Sequence, residues 1–430
     1  MSAHLAHPAP ADDSAAPLPL TPLRALAALG LLAGALWLGW KAWDVNITMS
    51  CWKNEWPHLA VCDDIMGRTP AEKVQRLQER LAQNPGDSQA LVELAAWARE
   101  PELAAAGLDA PALLAAAVRA APQDARVLRM QTNDAMRAQQ WPQALDPLIR
   151  LSRYHGDAEA TRTLAILIGQ SGNDPTVLSA LKAAVQSDGG WLGRPLYAMP
   201  KEKLPLSSAM PLVLALMEQR ALTPQLGQFV IGSLKGEGRW MEAHAVWRHL
   251  WNRPLPLVFN GDFEQAFVRG GFDWEVADAN DHRSGARVGT VGRKERGQVL
   301  EVSFTGKAMK PPILRQDLLL LPGRYTLSGR MQSTDLRSQQ GLAWVLSCAQ
   351  DGRELARSPA LKTTGREWIR WDVAATMPGD CPGFGARLSL QTFAPYEAKT
   401  GLRGEALFDD LQLVSEAGPP PATPTRTTQP

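Results

Sequence analysis

The sequence predicts a multidomain protein of the α plus all-β class: a single N-terminal transmembrane helix, an α-helical solenoid and an antiparallel β-sandwich. Three observations lead to this prediction. An uncharged run of Ala, Leu, Gly and Trp extends from Ala25 to Trp40. Between residues 67 and 253, apolar residues recur at helical spacing. From 254 to 416, they alternate with polar residues in short runs between Gly, Pro and Asp turns, which is typical of strands.

The first apolar segment is long enough to cross a membrane. Residues 23–43 extend over about 30 Å at 1.5 Å per residue, which matches the thickness of a hydrocarbon core. Arg24 and Lys41 lie near its ends, and three tryptophans cluster at its C-terminal end, as at a membrane interface. A cleaved signal peptide is the alternative. Against it stands the long leading tail, which contains Asp12 and Asp13.

The four cysteines form two pairs that are local in sequence, Cys51 with Cys62 and Cys348 with Cys381. Such pairs suit disulfides in an oxidising compartment or, as the alternative, buried thiols in a reducing one. The basic residues at the two ends of the apolar segment nearly cancel under the positive-inside rule, so the cysteines decide the orientation. We therefore expect a single-pass protein of a bacterial inner membrane, with a cytoplasmic N-terminus and a periplasmic bulk.

Helix breaks recur through the middle of the chain. The breaks Asn84–Asp87, Ala121–Asp124 and Tyr154–Asp157 end in aspartates that are 37 and 33 residues apart. These steps lie near the 34-residue period of tetratricopeptide repeats. Small and large residues between the last two breaks also resemble the packing positions of that family, at Ala135 and Trp141. No repeat shows the full signature, and the stretch 189–205 interrupts the array.

The resemblance implies a degenerate solenoid of helical hairpins, a tetratricopeptide-like (TPR-like) region. Such arrays bind peptides or partner proteins in a groove, so an envelope protein partner is expected here. The alternative is a spacer that holds the distal domain away from the membrane. No basic or aromatic ladder in the sequence favours one over the other.

Residues 254–416 open and close with segments that resemble carbohydrate-binding modules. The opening is Leu257-Val-Phe-Asn-Gly-Asp-Phe-Glu264, followed by Gly271-Phe-Asp-Trp274, and the closing strand is Ala406–Leu413. Both are similar to the galactose-binding-like and family-4-type modules. The resemblance implies a jelly-roll β-sandwich and a glycan or protein ligand.

The same resemblance implies a structural calcium site, because the opening Glu and closing Asp of such modules often hold this ion. The residues that match by position are Glu264 and either Asp409 or Asp410, with Asp262 as an addition. Ca²⁺ prefers carboxylate and carbonyl oxygens brought together from strand ends. The alternative is that these acids cap turns or face solvent, and no cofactor is otherwise required.

Sugar-binding sites use exposed aromatic faces that stack on pyranose rings. The candidates for such a role are Trp274, Trp344 and Tyr396, together with the loops 278–287 and 394–403. For the tryptophans, packing in the core is the alternative.

The sequence contains no GxSxG, GxxxxGK[ST] or HExxH motif. The near balance of 45 Lys and Arg against 44 Asp and Glu argues against nucleic-acid binding. We therefore expect a non-catalytic, membrane-anchored envelope scaffold. Its combination of one anchor, a TPR-like region and a sandwich resembles the machinery of surface-polysaccharide synthesis or export, and this resemblance implies a role there. The alternative is a carbohydrate-processing enzyme with its site in the sandwich.

The expected segments are a disordered cytoplasmic tail (1–22), a transmembrane helix (23–43), a juxtamembrane disulfide loop (44–66), the TPR-like region (67–253), the β-sandwich (254–416) and a disordered tail (417–430).

Overall fold

The computed structural model describes residues 22–52, 60–100, 107–268, 270–276 and 285–416. Over these residues it has the predicted architecture: an apolar N-terminal helix, a helical region and two antiparallel sheets that form a sandwich. Both predicted tails, apart from Pro22, lie outside the described residues, and so does most of the loop between Cys51 and Cys62. The chain divides into two compact units, Met1–Gln131 and Thr132–Pro430.

The first unit begins with a long apolar helix, α1 (Pro22–Trp52). Its segment Leu26–Cys51 is long and apolar enough to cross a membrane, and the residues of its apolar 18-residue window are not buried by the rest of the described chain. The helix continues for nine residues beyond the predicted span 23–43. A disulfide then joins Cys51 to Cys62 in α2 (Ala60–Met66), with the Cα atoms 5.1 Å apart. This confirms the first predicted pair and fixes the start of α2 to the end of α1.

Amphipathic helices follow, with side-chain caps at their N-termini. Asp87 Oδ1 accepts a hydrogen bond from Ala90 N at 3.0 Å, and Asp109 Oδ1 accepts one from Ala112 N at 3.0 Å. Such caps satisfy donors that a helix leaves unpaired. Leu77, Ala90 and Leu94 form one buried cluster between neighbouring helices. The helices are α3 (Pro70–Gln83), α4 (Ser88–Trp97), α5 (Ala110–Ala120) and α6 (Ala125–Arg137), the last of which crosses the boundary between the units.

Helices also form the first part of the second unit. In it α7 packs against both α8 and α9, and the interruption predicted over 189–205 contains short helical turns and α10. The helical nature of the region is confirmed, whereas its assignment to tetratricopeptide repeats stays a prediction. The helices are α7 (Trp141–Tyr154), α8 (Ala158–Gln170), α9 (Pro175–Ser187), α10 (Gly193–Ala198), α11 (Met210–Glu218), α12 (Pro224–Gly236) and α13 (Trp240–Trp251).

The sandwich consists of two five-stranded sheets. Sheet A has the strand order β1-β4-β9-β6-β7, and sheet B has the order β2-β3-β10-β5-β8. Each pair of neighbouring strands is antiparallel. The elements are β1 (Trp274–Val276), β2 (Ala286–Arg293), β3 (Gly297–Thr305), β4 (Leu314–Leu319), β5 (Gly323–Gln332), β6 (Leu342–Cys348), β7 (Glu354–Arg357), β8 (Ile369–Met377), β9 (Gly385–Thr392), α14 (Pro395–Thr400) and β10 (Arg403–Ser415).

Alternate residues of each strand point between the sheets and form a single core. At its centre the Trp344 ring lies 5.6 Å from both the Trp274 and the Phe408 ring centroids. The second predicted disulfide is also present: Cys348 at the end of β6 is joined to Cys381, with the Cα atoms 5.7 Å apart. Since both sulfurs are buried in this core, the bridge closes the end of the sandwich at which β6 ends and β9 begins.

Helix α13 packs directly against the sandwich. The Trp247 ring lies 5.2 Å from the Phe259 ring and 6.3 Å from the Phe272 ring. Glycine is required opposite it, because a Cβ on Gly271 would lie 2.6 Å from the indole. A Cβ on Gly385 would similarly lie 2.3 Å from Trp240. The helices and strands of the second unit therefore share one tightly packed junction, on both sides of the domain boundary that the sequence predicts at 253/254.

A buried ion triad adds to this junction. Lys235 Nζ, on α12, lies 2.8 Å from Asp317 Oδ2 on β4, and Arg387 Nε on β9 lies 2.9 Å from Asp317 Oδ1. Lys235 Nζ also donates to Gly271 O at 2.7 Å. Burial raises the pKa of Asp317, but the charges of Lys235 and Arg387 outweigh it, so the pKa lies below its usual value of 3.8.

Acidification is expected to weaken this junction. A carboxyl whose pKa is lower in the folded state contributes stability above its unfolded pKa and loses it as the pH falls through the folded pKa. The free energy of unfolding of the second unit should therefore decline below about pH 4. Urea unfolding of wild type and Asp317→Asn between pH 3 and 7 measures this, and the variant should show a shallower decline. Equal slopes in the two proteins would contradict the assignment.

Candidate functional site

Of the three predicted aromatic ligand residues, two lie in the core of the sandwich and one lies on its surface. Trp274 and Trp344 are fully buried between the sheets. The prediction that they bind a ligand is therefore wrong, because both occupy inward-facing positions of their strands. Tyr396 is about half exposed on α14, at the end of β9, and remains available for a ligand.

A buried carboxylate fixes the loop that carries Tyr396. Glu397 accepts hydrogen bonds from Ser338 Oγ at 2.9 Å and from Gln339 N at 2.7 Å. A weaker bond comes from Gln340 N at 3.3 Å. Tyr396 Oη in turn donates to Gln339 Oε1 at 3.1 Å. The exposed phenol is thus held in place by two loops that are tied together at the end of sheet A where β9 ends and β6 begins.

Antiparallel pairing places one side chain from each strand of sheet A in a single row on its outer face. Glu275 pairs with Arg315, Arg315 with Ser389, Ser389 with Val345, and Val345 with Arg357. Because side chains of directly opposed residues share a face, all five point away from the core. We call these five residues the outer row. It crosses five strands, or about 19 Å at 4.8 Å per strand.

In the outer row, two small buried residues lie between partly exposed ionic residues. Ser389 and Val345 are buried, whereas the Arg315 and Glu275 side chains remain 43% and 36% exposed. Arg315 Nη2 lies 2.7 Å from Glu275 Oε2. At the other end, Arg357 Nη2 lies 2.6 Å from Glu354 Oε2. Planar guanidinium and carboxylate groups held in this way offer several hydrogen-bond donors and acceptors to a polar ligand.

Two features bound the outer row along the strand direction. On one side lie Asp317 and Arg387, together with Lys235 from α12. On the other side lies Phe393, which follows the end of β9 and whose ring centroid lies 5.7 Å from the Arg357 guanidinium carbon. Arg387 and Phe393 are six residues apart, or about 20 Å along an extended strand. The face therefore presents a shallow polar surface with a helical wall on one side and an aromatic residue on the other.

The predicted calcium ligands lie elsewhere, at the end of sheet B. Asp409 and Asp410 both contact Arg296, with Nη1–Oδ2 distances of 2.7 Å and 3.2 Å. Glu264 Oε1 accepts a hydrogen bond from Gln298 N at 3.1 Å. Asp262 instead lines a groove of about 430 Å³ beside the end of β10. Within the described ranges there is no group of three or more His, Cys, Asp or Glu residues positioned to hold a metal.

These residues do not fit a calcium ion. The guanidinium of Arg296 already lies against both aspartates, and a divalent cation would have to displace it. The expectation that Glu264, Asp262 and these aspartates form a calcium site is corrected accordingly.

A second groove, of about 320 Å³, lies between α7 and α9 of the helical region. Leu145 and Ala184 contribute an apolar floor, and Arg153 and the exposed Tyr154 contribute its rim. Trp191 also lines it, and among the described residues its buried indole Nε1 has no hydrogen-bond partner. The groove is of the kind that accommodates an extended peptide.

Sequence reasoning missed the outer row. The signal was present in β9, where Arg387, Ser389 and Gln391 alternate with apolar residues, and was weaker in β4, where Gln316 separates Arg315 from Asp317. The sequence does not show the register in which β4 pairs with β9. That register places Arg315 opposite Ser389 and not opposite an adjacent residue of β9.

No protein-family model and no curated protein matches the chain. Solved structures resemble the C-terminal sandwich. One is a CBM4 structure, 16% identical, with a TM-score of 0.28, covering 37% of this chain and 99% of its own. Another is the CBM22-1 xylan-binding domain of Paenibacillus barcinonensis, 13% identical, with a TM-score of 0.26, covering 36% of this chain and 91% of its own. A third is TmCBM61 in complex with β-1,4-galactotriose, 16% identical, with a TM-score of 0.24, covering 38% of this chain and all of its own. At these identities and TM-scores the likeness carries no conclusion about a ligand.

Proposed function

We propose that the protein is a non-catalytic, membrane-anchored scaffold of the bacterial envelope whose sandwich binds a glycan across the outer row. The observation that supports this most is the alignment of Arg315, Ser389 and Arg357 across sheet A. A row about 19 Å long, with ionic groups at both ends, suits an elongated ligand rich in hydroxyl groups. Such a ligand exchanges hydrogen bonds with the guanidinium and carboxylate groups and needs no deep cavity.

The location of the site at a sheet face favours binding over catalysis. Ionic groups of the outer row are paired with each other, as in the Glu275–Arg315 bridge. The face is also shallow, so it does not exclude water from a reacting bond as a hydrolase site does. We infer a role in surface-polysaccharide synthesis or export, in which a protein holds a glycan without cleaving it.

The anchor and the disulfides support a periplasmic position for both units. The apolar segment of α1 has the length of a membrane span. The Cys51–Cys62 bridge follows it at once, and the Cys348–Cys381 bridge lies in the sandwich. Both bridges persist in an oxidising compartment. Alkaline phosphatase fused after residue 60 should be active in the envelope, and an inactive fusion would contradict this orientation.

A protein partner completes the proposed scaffold. The groove between α7 and α9 has an apolar floor and a rim with Arg153 and Tyr154, which suits an extended peptide of the partner. Site-specific photocrosslinking from position 154 in whole cells should yield a discrete crosslinked protein. The same crosslinker at the exposed Met241 on α13 serves as the control.

Substitutions in the outer row should abolish most glycan binding. Replacing both Arg315 and Arg357 by alanine removes charged hydrogen-bond donors from the two ends of the row. Loss of such donors should raise the dissociation constant at least tenfold, because hydrogen bonds to charged groups contribute about 1.5–3 kcal/mol each.

Affinity electrophoresis of the detergent-solubilised full chain measures this effect. The gels contain a panel of polysaccharides that includes xylan, β-1,4-galactan and the surface polysaccharide of the source cell. Arg370→Ala is the matched control, because Arg370 lies on the outer side of β8 in the other sheet. If the double variant and the control are retarded equally, the outer row is not the binding site.

A further inference from the structure

Three carboxylates from distant parts of the sequence meet around one turn of the sandwich. The turn is that of the hairpin between β2 and β3; it contains Arg296 and leads into Gly297 and Gln298 at the start of β3. Asp409 and Asp410 approach it from β10, and Glu264 approaches it from the segment before β1. The opening segment and the last strand of the sandwich are therefore brought together at this hairpin.

A β-bulge directs both aspartates toward the same cation. The register of β10 with β5 shifts between Asp409 and Gln412, and Asp410 has a positive φ of 54°. In a regular strand, consecutive side chains point to opposite faces, so two adjacent aspartates would diverge. The bulge breaks that alternation, and both carboxylates reach Arg296. Asp409 is further fixed because its Oδ1 accepts a hydrogen bond from Asp410 N at 2.8 Å.

Arg296 contacts an aromatic ring in addition to the two aspartates. Its guanidinium carbon lies 4.6 Å from the centroid of the Trp368 ring, within the range of cation–π attraction. Arg330 adds a second guanidinium, with Nε 3.0 Å from Asp410 Oδ2. The Arg296 side chain is 19% exposed and the Asp409 side chain is 5% exposed, so solvent screens this pair only weakly.

The third carboxylate is packed tightly against the turn. A Cβ on Gly297 would lie 2.0 Å from Glu264 Oε1, and Gly297 has a positive φ of 72°. Glycine at this position thus lets Glu264 approach the backbone and accept the hydrogen bond from Gln298 N. The turn supplies backbone donors and one guanidinium to acids that would otherwise repel each other.

We propose that Arg296 is the built-in cation of this acidic cluster and takes the place of a metal ion in joining the two ends of the sandwich. It neutralises Asp409 and Asp410 as a divalent cation would, with a geometry that the bulge and Trp368 fix. The sandwich therefore folds and keeps its stability without calcium.

Thermal unfolding of the purified full chain tests this proposal. Millimolar CaCl₂ or EDTA should leave the melting temperature of the wild type unchanged. Arg296→Gln should lower it by about 4 °C or more, because it leaves the buried Asp409 carboxylate without its partner. The double variant Arg296→Gln/Asp409→Asn should recover part of that loss, since it removes the unpaired charge as well.

Arg287→Gln provides the control, because this exposed arginine of β2 lies opposite Ser303, at the far end of β2 from the hairpin. It should melt within about 1 °C of the wild type. A rise in the wild-type melting temperature with CaCl₂, or a fall with EDTA, would overturn the proposal. So would an Arg296→Gln variant that melts like the control. Failure of glycan binding leaves the proposal unaffected, because the cluster lies at the end of sheet B and the outer row lies on sheet A.

Discussion

Trp247→Ala is expected to lower the free energy of unfolding of the second unit by about 3–5 kcal/mol. The indole of Trp247 is buried between α13 and the sandwich, in contact with Phe259 and Phe272. Its removal leaves a cavity at the junction, where Gly271 carries no side chain that could fill it. Because the helices and strands pack together there, both should become less stable at once.

Urea unfolding followed by far-ultraviolet circular dichroism measures this loss. Met241→Ala is the matched control, since Met241 lies on the same helix and is more than half exposed. Its effect should stay within about 0.5 kcal/mol. A second variant, Gly271→Ala, approaches the same contact from the opposite side and should also destabilise through overpacking. If Trp247→Ala and Met241→Ala were equally stable, the junction would not contribute to folding.

Removing the Cys348–Cys381 disulfide is expected to cost the second unit about 4 kcal/mol. The two cysteines are 33 residues apart, and closing a loop of that length lowers the entropy of the unfolded chain by about that amount at 25 °C. The double variant Cys348→Ser/Cys381→Ser also places two hydroxyl groups in the core, which adds to the loss.

The other disulfide offers a control within the same protein. Cys51→Ser/Cys62→Ser removes a bridge from the first unit and should leave the urea unfolding of the second unit unchanged. The four proteins, wild type, each double variant and the quadruple variant, are compared in non-reducing buffer. A stability loss below about 1 kcal/mol for the sandwich variant would show that the bridge contributes little.

The fold class was predictable because it depends on local patterns. Helical and strand periodicity differ over short windows, and the change near Pro254 separates them clearly. The cysteine pairing was also predictable, since each pair is local in sequence or lies at strand ends. Neither inference requires knowledge of how distant segments meet.

The candidate site was less predictable because it depends on which strands pair and on which face of the sheet each side chain lies. Trp274 and Trp344 are of a residue type that stacks on sugar rings, but both side chains face the core. The resemblance to calcium ligands singled out Glu264, Asp409 and Asp410, and each of them contacts residues 296–298. It could not show that Arg296, more than a hundred residues from Asp409, would lie between them. The outer row likewise emerges only from the register of five strands.

Hydrogen–deuterium exchange of the full chain tests the proposed glycan site most directly. The protein is compared with and without the polysaccharide that retards it most strongly in the affinity gels. Glycan bound across the outer row should slow exchange in β4, β6 and β9 of sheet A and leave β2 and β5 of sheet B unchanged. Protection confined to sheet B or to the helices, or no polysaccharide that binds at all, would contradict the proposal that the outer face of sheet A binds glycan.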